Sequence, residues 1–267
     1  MDKFHFETVR QKYLSGIGSS GTTGLTSSSI GTLGEKALHA IVKSYIEPDP
    51  ANQEIKIGSF HVDCFDGTRI HEIQTRQFNK LNAKLATLLP QFPVTIVYPM
   101  PARKWLLWID PQTGLVSNPR LSPKRGNPPD IFRELYRIKT HLTHPNFSLL
   151  ILQIDLEEYR LLNGWSDDRK KGSHRSDRLP LALANELWIQ DPPDFVQLLP
   201  DTLPDSFTSA DYAKSARTSR GTAQIALNIL RSLGVIESCG KSGRALIYSR
   251  ASGMCVTPAP HETETNV

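Results

Sequence analysis

The sequence predicts a mixed α/β chain, an αβββαβ core followed by a small module of two helices and a hairpin. Three observations carry that prediction. Apolar residues recur at helical spacing over residues 35–45, alternate over 54–57, 60–65 and 69–76, and return to helical spacing over 78–88. The pair Asp66-Gly67, set between two alternating runs, is a strong two-residue hairpin signal. A basic stretch with its own helix and turn signals occupies residues 207–252.

With 267 residues and 39% hydrophobic content, the chain can bury one sizeable core and a smaller one. Residues 148–154, among the longest apolar stretches, are far too few to span a bilayer, and the N-terminus lacks the apolar run of a secretory signal. No membrane partner and a cytoplasmic location are expected. Cys64, Cys239 and Cys255 are odd in number and contain no CxxC pair, which argues against a disulfide framework or a structural zinc site.

Taken in order, residues 1–33 read as a flexible arm, because 15–34 are dominated by Gly, Ser and Thr. The pattern Gly16-x-Gly18-x-x-Gly21 has neither a strand before it nor a helix after it, so dinucleotide binding is excluded. Leu38, Ile41, Val42 and Tyr45 mark the first helix, which Pro48 stops. Strands follow at 54–57, 60–65 and 69–76. Phe78, Leu81, Leu85 and Leu88 give a second helix, with Lys80 and Lys84 on its outer face. Strands at 94–98, 105–109 and 149–154 and a helix over 131–141 complete a domain running from 34 to 200. Residues 169–178 read as a basic loop. The smaller domain spans 201–252, and 253–267 read as a disordered tail.

The hairpin lets side-chain directions be derived. With Asp66 and Gly67 as turn residues, Asp63 faces Ile70 and His61 faces Glu72. Alternation then puts His61, Asp63, Ile70, Glu72, Gln74 and Arg76 on one side of the sheet. Asp63 and Glu72 become diagonal neighbours roughly 7 Å apart at their β-carbons, close enough to share a hard cation. Glu35 shares its helical face with Leu38, His39 and Val42 and adds a third acid. Burying such a carboxylate is costly unless a cation compensates it.

Glu35 on the leading helix, Asp63 on the second strand and Glu72-Ile73-Gln74 on the third resemble the PD-(D/E)XK nuclease superfamily over residues 34–109. The resemblance implies a restriction-endonuclease-like core and a hydrolase that holds Mg2+ or Mn2+ on Asp63 and Glu72, with Glu35 supporting a second metal or a water. Gln74 stands where the superfamily usually has lysine, and no proline precedes Asp63. A neutral amide positions water without supplying charge, so Arg76 is the first candidate for the missing cation, with Lys36, Lys80 and Lys84 as others. The catalytic set expected is Glu35, Asp63, Glu72, Gln74 and Arg76.

In the basic module, residues 218–232 form a helix with Ala223, Ala226, Leu227 and Leu230 on one stripe and Arg220, Gln224, Asn228 and Arg231 on the other. Those polar types pair with base edges in a major groove. A strand, a turn at 240–243 and a second strand follow. The arrangement resembles a winged helix-turn-helix with Lys241 and Arg244 in the wing, which implies DNA as partner. Lys124, Arg125, Lys170, Lys171 and Arg175 are expected to hold the phosphate backbone. RNA is left open as an alternative substrate, a homodimer as an assembly, and an inactive DNA-binding scaffold as the competing function.

Overall fold

Two long apolar segments make the centre of the sheet. In the computed structural model, which describes residues 2–18, 37–163 and 172–251, β4 (Val94–Ile109) and β6 (Phe147–Leu161) lie parallel. Sequence periodicity splits β4 into two strands because Pro99, Pro101 and Lys104 interrupt it. Pairing with β6 nevertheless resumes at Lys104↔Leu156 after one irregularity, so the strand continues. β7 (His174–Ile189) runs antiparallel along the other edge of β6. It carries Arg175 and Arg178, which corrects the loop expected over 169–178. Lys170 and Lys171 lie outside the described residues.

On the opposite flank, β1 (Gln53–Ile57), β2 (Phe60–Phe65) and β3 (Ile70–Ile73) form an antiparallel meander. β3 then pairs parallel with β4 across the helix α3 (Asn82–Leu88). The sheet order is β1-β2-β3-β4-β6-β7, and β5 (Arg120–Leu121) pairs with β4. This is a mixed α/β architecture with the predicted αβββαβ element order.

Alternation along β6 divides the core. Leu149 and Ile151 pack with Leu85 and Leu88 of α3 and with Phe132 and Leu135 of α4 (Phe132–Leu135). Leu150, Leu152 and Ile154 pack on the other face with Ile41 and Val42 of α2 (Ala37–Ile46). Phe6, only 1% exposed, joins that second cluster from α1 (Lys3–Gly18). The flexible arm expected over 1–33 is therefore corrected at its start. Phe6, Val9, Tyr13 and Leu14 form an apolar stripe that packs into the second cluster. The helix expected over 131–141 is a four-residue α-helix flanked by 3-10 turns, with a kink at Ile138.

The C-terminal unit comprises β8 (Ser206–Phe207), α5 (Ser209–Ser215), α6 (Arg220–Ser232), β9 (Ile236–Ser242) and β10 (Ala245–Arg250), with strand order β8-β10-β9. Thr208 caps α5 reciprocally with Asp211, and Ser219 caps α6 by accepting from the Thr222 N–H. Gly234, at φ +71°, ends α6 in the left-handed region that glycine tolerates. The unit has no separate core. Phe207, Tyr212, Leu227 and Leu230 belong to the cluster that contains Phe132 and Leu135. Arg133 donates to the Thr222 hydroxyl at 2.6 Å, and Asn127 to the Ala216 carbonyl at 2.6 Å. The boundary expected at 201 is thus crossed by shared apolar packing. No helix among the described residues is long and apolar enough to cross a membrane.

Candidate functional site

The acids of interest meet where β2 and β3 part. Their ladder has the pairs Cys64↔His71 and Phe65↔Ile70, so the connection is four residues long, not two. Asp66 builds it with its side chain, accepting from the Thr68 and Arg69 N–H groups, each at 2.7 Å. The shift relative to the predicted hairpin is two residues, which would keep the faces and change only the partners, but the strands part here and the expected common face is lost: Asp63 meets α2 and Glu72 meets α3. Continuing the observed register sets Asp63 opposite Glu72 instead of Ile70. Past Cys64 the strands separate, and the Asp63 carboxylate takes the Ile73 N–H at 2.6 Å.

Asp63 is approached from α2, where His39 Nε2 lies 3.2 Å from its Oδ1. The β1–β2 register, Gln53↔Cys64 and Ile55↔Val62, sets Glu54 opposite Asp63 as well. One donor atom from each of His39, Glu54 and Asp63 falls within 4.8 Å of the others. Glu54 also pairs with Lys43 at 2.6 Å and adopts φ +53°. Glu72 is held from the opposite side of the sheet: Lys84 of α3 donates to its Oε1 at 2.7 Å and to the His61 carbonyl at 2.6 Å. Asp63 and Glu72 are therefore electrostatic neighbours, but the atoms gathered around a common point are those of His39, Glu54 and Asp63. This corrects the metal set expected from the strand parity. Glu35 lies outside the described residues.

Burial would raise the Asp63 pKa, but the hydrogen bond and charge of His39, the Ile73 N–H and the charge of Lys84 outweigh it and hold it below the usual value. Glu72 goes the other way. Burial and then the Asp63 charge push it up to about 7, against the opposing pull of Lys84. It can gain or lose a proton near neutrality. Cys64 is pushed up to about 12 by burial first and by Asp63 next, and its thiol faces the Lys43 carbonyl at 4.0 Å. It is not poised as a nucleophile.

The remaining expected residues are spread more widely. β3 stops at Ile73, so strand parity does not extend to Gln74 or Arg76. The Gln74 amide donates to the Arg76 carbonyl, and its backbone N–H to Val97 at 2.9 Å. Arg76 instead lines a cavity of about 570 Å³ that His39, Lys43 and Glu54 share with Arg175 and Arg178 of β7. On α6, Arg220, Gln224, Asn228 and Arg231 are exposed, and Lys139 donates to Asn228 at 2.8 Å. Lys241, Arg244, Lys124 and Arg125 are exposed too.

Glu54 and Lys43 were missed by the sequence reading, and Lys84 was one candidate among several. The signal for Glu54 was present: Gly58-Ser59 closes a tight hairpin, Ile57↔Phe60, which fixes Glu54 against Asp63 by counting. Lys84 reaches Glu72 only through the packing of α3, which no local pattern encodes.

Fold and site define a mixed α/β protein with a carboxylate–histidine cluster at a strand fork, beside a cavity lined by arginines. The chain belongs to the family described as a domain of unknown function (DUF8091), whose model matches residues 36–190. It is 31% identical over 224 residues to an uncharacterized protein of Treponema pallidum (strain Nichols), covering 83% of this chain and 87% of that one. No solved structure matches it.

Proposed function

We propose that the chain is a divalent-metal-dependent nuclease with a PD-(D/E)XK-like core, and that its C-terminal unit is a winged helix that engages DNA. The observation that carries this reading is the conjunction at the β2–β3 fork. Asp63 and Glu72 stand on neighbouring strands, followed by a crossover helix and a parallel strand, as the superfamily's core requires. The donor set His39, Glu54 and Asp63 fits a divalent cation, and its imidazole favours Mn2+ over Mg2+, which prefers oxygen ligands. Such an ion supplies polarisation of a phosphoryl oxygen and acidification of a bound water. The protein's own groups do the rest. Lys84 offers the positive charge that Gln74 lacks, and Glu72, with a pKa of about 7, can accept or return a proton at neutral pH.

For the C-terminal unit, support comes from its sheet order. The short strand before α5 pairs with the last strand of the hairpin, the winged-helix arrangement, and leaves the polar face of α6 exposed. Basic residues 214, 217, 220, 231, 241, 244 and 250 of that unit face only Asp211 and Glu237.

One observation favours the competing scaffold reading: the acids already have protein partners, His39 for Asp63 and Lys84 for Glu72. The test is cleavage of plasmid, linear and single-stranded DNA by purified protein with Mn2+ or Mg2+. Wild type should cleave and Asp63→Asn should lose at least about 10³-fold in rate, with DNA affinity retained. Combined Arg220→Ala and Gln224→Ala should weaken DNA binding. DNA binding without cleavage under either metal would make the protein a scaffold. Because the C-terminal unit shares the main core, point variants are the informative ones, not deletion.

A further inference from the structure

We propose that Arg76, Arg175 and Arg178 form a subsite for a terminal phosphate monoester, so that the protein grips a phosphorylated strand end. The inference rests on the nuclease reading only for what carries the phosphate; the subsite itself stands on the arginines.

Arg76 follows the end of β3, while Arg175 and Arg178 come from β7, so segments a hundred residues apart bring three guanidiniums to the same cavity wall. Among the described residues, neither the Arg76 nor the Arg175 guanidinium has a hydrogen bond or ion pair, and both residues are exposed. Arg178 has a long contact to Glu158, 3.4 Å, but that carboxylate already holds Lys104 at 3.2 Å and Arg160 at 2.7 Å. Glu158 thus divides one negative charge among three cations and offsets only part of the charge on Arg178. Two acids line the cavity: Glu54, which pairs with Lys43, and Asp177, whose Oδ1 accepts from the Arg178 N–H and whose Oδ2 accepts from the Ala37 N–H at 3.4 Å. The cavity lining carries Arg76, Arg175, Arg178 and Lys43 against Glu54 and Asp177, a surplus of two positive charges, and Arg178 is partly offset by Glu158.

Unpaired like charges held together raise the energy of the free protein, and a matching anion relieves it. The surplus identifies the anion. An internal phosphodiester carries one negative charge, whereas a phosphate monoester carries about 1.5 to 2 near neutrality and offers three acceptor oxygens. Guanidiniums bind such oxygens in bidentate fashion. The hydroxyls of Thr75 and Ser176, on the same wall, can donate to the oxygens left over. A cavity of about 570 Å³ has room for a nucleotide unit between this wall and the His39–Glu54–Asp63 cluster.

The test uses the full chain in EDTA, so that binding is read without cleavage. Single-stranded 12-mers bearing a 5′-phosphate, a 3′-phosphate or only hydroxyl ends are compared by fluorescence anisotropy, alongside thermal shift with inorganic phosphate. One phosphorylated end should bind about tenfold or more tighter than the hydroxyl oligonucleotide, and which one gives the polarity of the grip. Arg76→Gln and Arg175→Gln should each erase most of that preference, while Arg175→Lys should keep part of it. Equal affinity for all three oligonucleotides would overturn the proposal, as would a preference unchanged in both glutamine variants. If no oligonucleotide binds but inorganic phosphate raises the melting temperature of wild type and not of Arg175→Gln, the subsite stands and the nucleic-acid reading falls. Absence of both effects sinks the two together.

Discussion

Two buried glutamates in this protein are pushed in opposite directions. Glu72 is 4% exposed and Glu158 is 1% exposed, so burial penalises both charges. Glu158 has three cations around it: Lys104, Arg160 and Arg178, which pull its pKa down to about 2 despite burial. Glu72 has one, Lys84, and a competing carboxylate in Asp63, and it rises to about 7. Burial therefore does not decide protonation; the count and sign of partners do. A saturated acid locks strands together, whereas an acid short of cations is where a proton or a metal can exchange.

The largest effect expected from this contrast is at Glu158. Glu158→Gln leaves Lys104, Arg160 and Arg178 without their shared counter-charge, and should cost about 3–5 kcal/mol of stability in denaturant titrations. A cost close to zero would mean that the three cations find water or other partners easily. Because its folded pKa is depressed from 4.5 to about 2, the stabilisation by Glu158 is complete above pH 4.5 and is lost as pH falls toward 2.

Glu72 should behave oppositely. Its folded pKa lies above the ordinary 4.5, so its contribution is fully present below pH 4.5 and is lost as pH rises through about 7. In metal-free protein, stability measured from pH 4.5 to 7.5 should fall with pH by an amount on the order of 3 kcal/mol that Glu72→Gln removes. Identical pH profiles for wild type and variant would show that Lys84 neutralises Glu72 more fully than the geometry implies.

A finer test removes one cation from the saturated site. Lys104→Met leaves Glu158 with Arg160 and Arg178 and should cost only about 1–2 kcal/mol, clearly less than Glu158→Gln. Equal costs would mean that Lys104 alone carries the cluster.

The two glutamates also differ in how far the sequence exposed them. Glu72 was found by counting along a hairpin, but the face it was expected to share with Asp63 was not kept, because the strands part past Cys64 and the two carboxylates meet different helices. Glu158 sits late in β6, beyond the apolar run 149–154 that marked the strand, in a charged segment that apolar periodicity does not pick out. Its partner strand β7 was invisible for a related reason. At the sheet edge it mixes charged residues with Pro180 and alternates imperfectly, and edge strands tolerate both. Arg175 and Arg178 were consequently assigned to a loop. α1 was hidden by the Gly- and Ser-rich composition of the segment that follows it, although its own apolar stripe was there to be read.

What the sequence determined by itself was local: apolar periodicity set the αβββαβ order, and turn and capping residues such as Asp66, Gly58, Thr208 and Ser219 placed the element ends. These are short-range effects, fixed by the chain's own geometry over a few residues. What only the tertiary structure decided were the pairings across distance. Lys84 meets Glu72, Lys104 meets Glu158, and Arg76 shares a wall with Arg175 because helices and strands far apart in the chain are packed on one sheet. Charge interactions depend on spatial neighbours and on how much water lies between them, and neither quantity is written in local order.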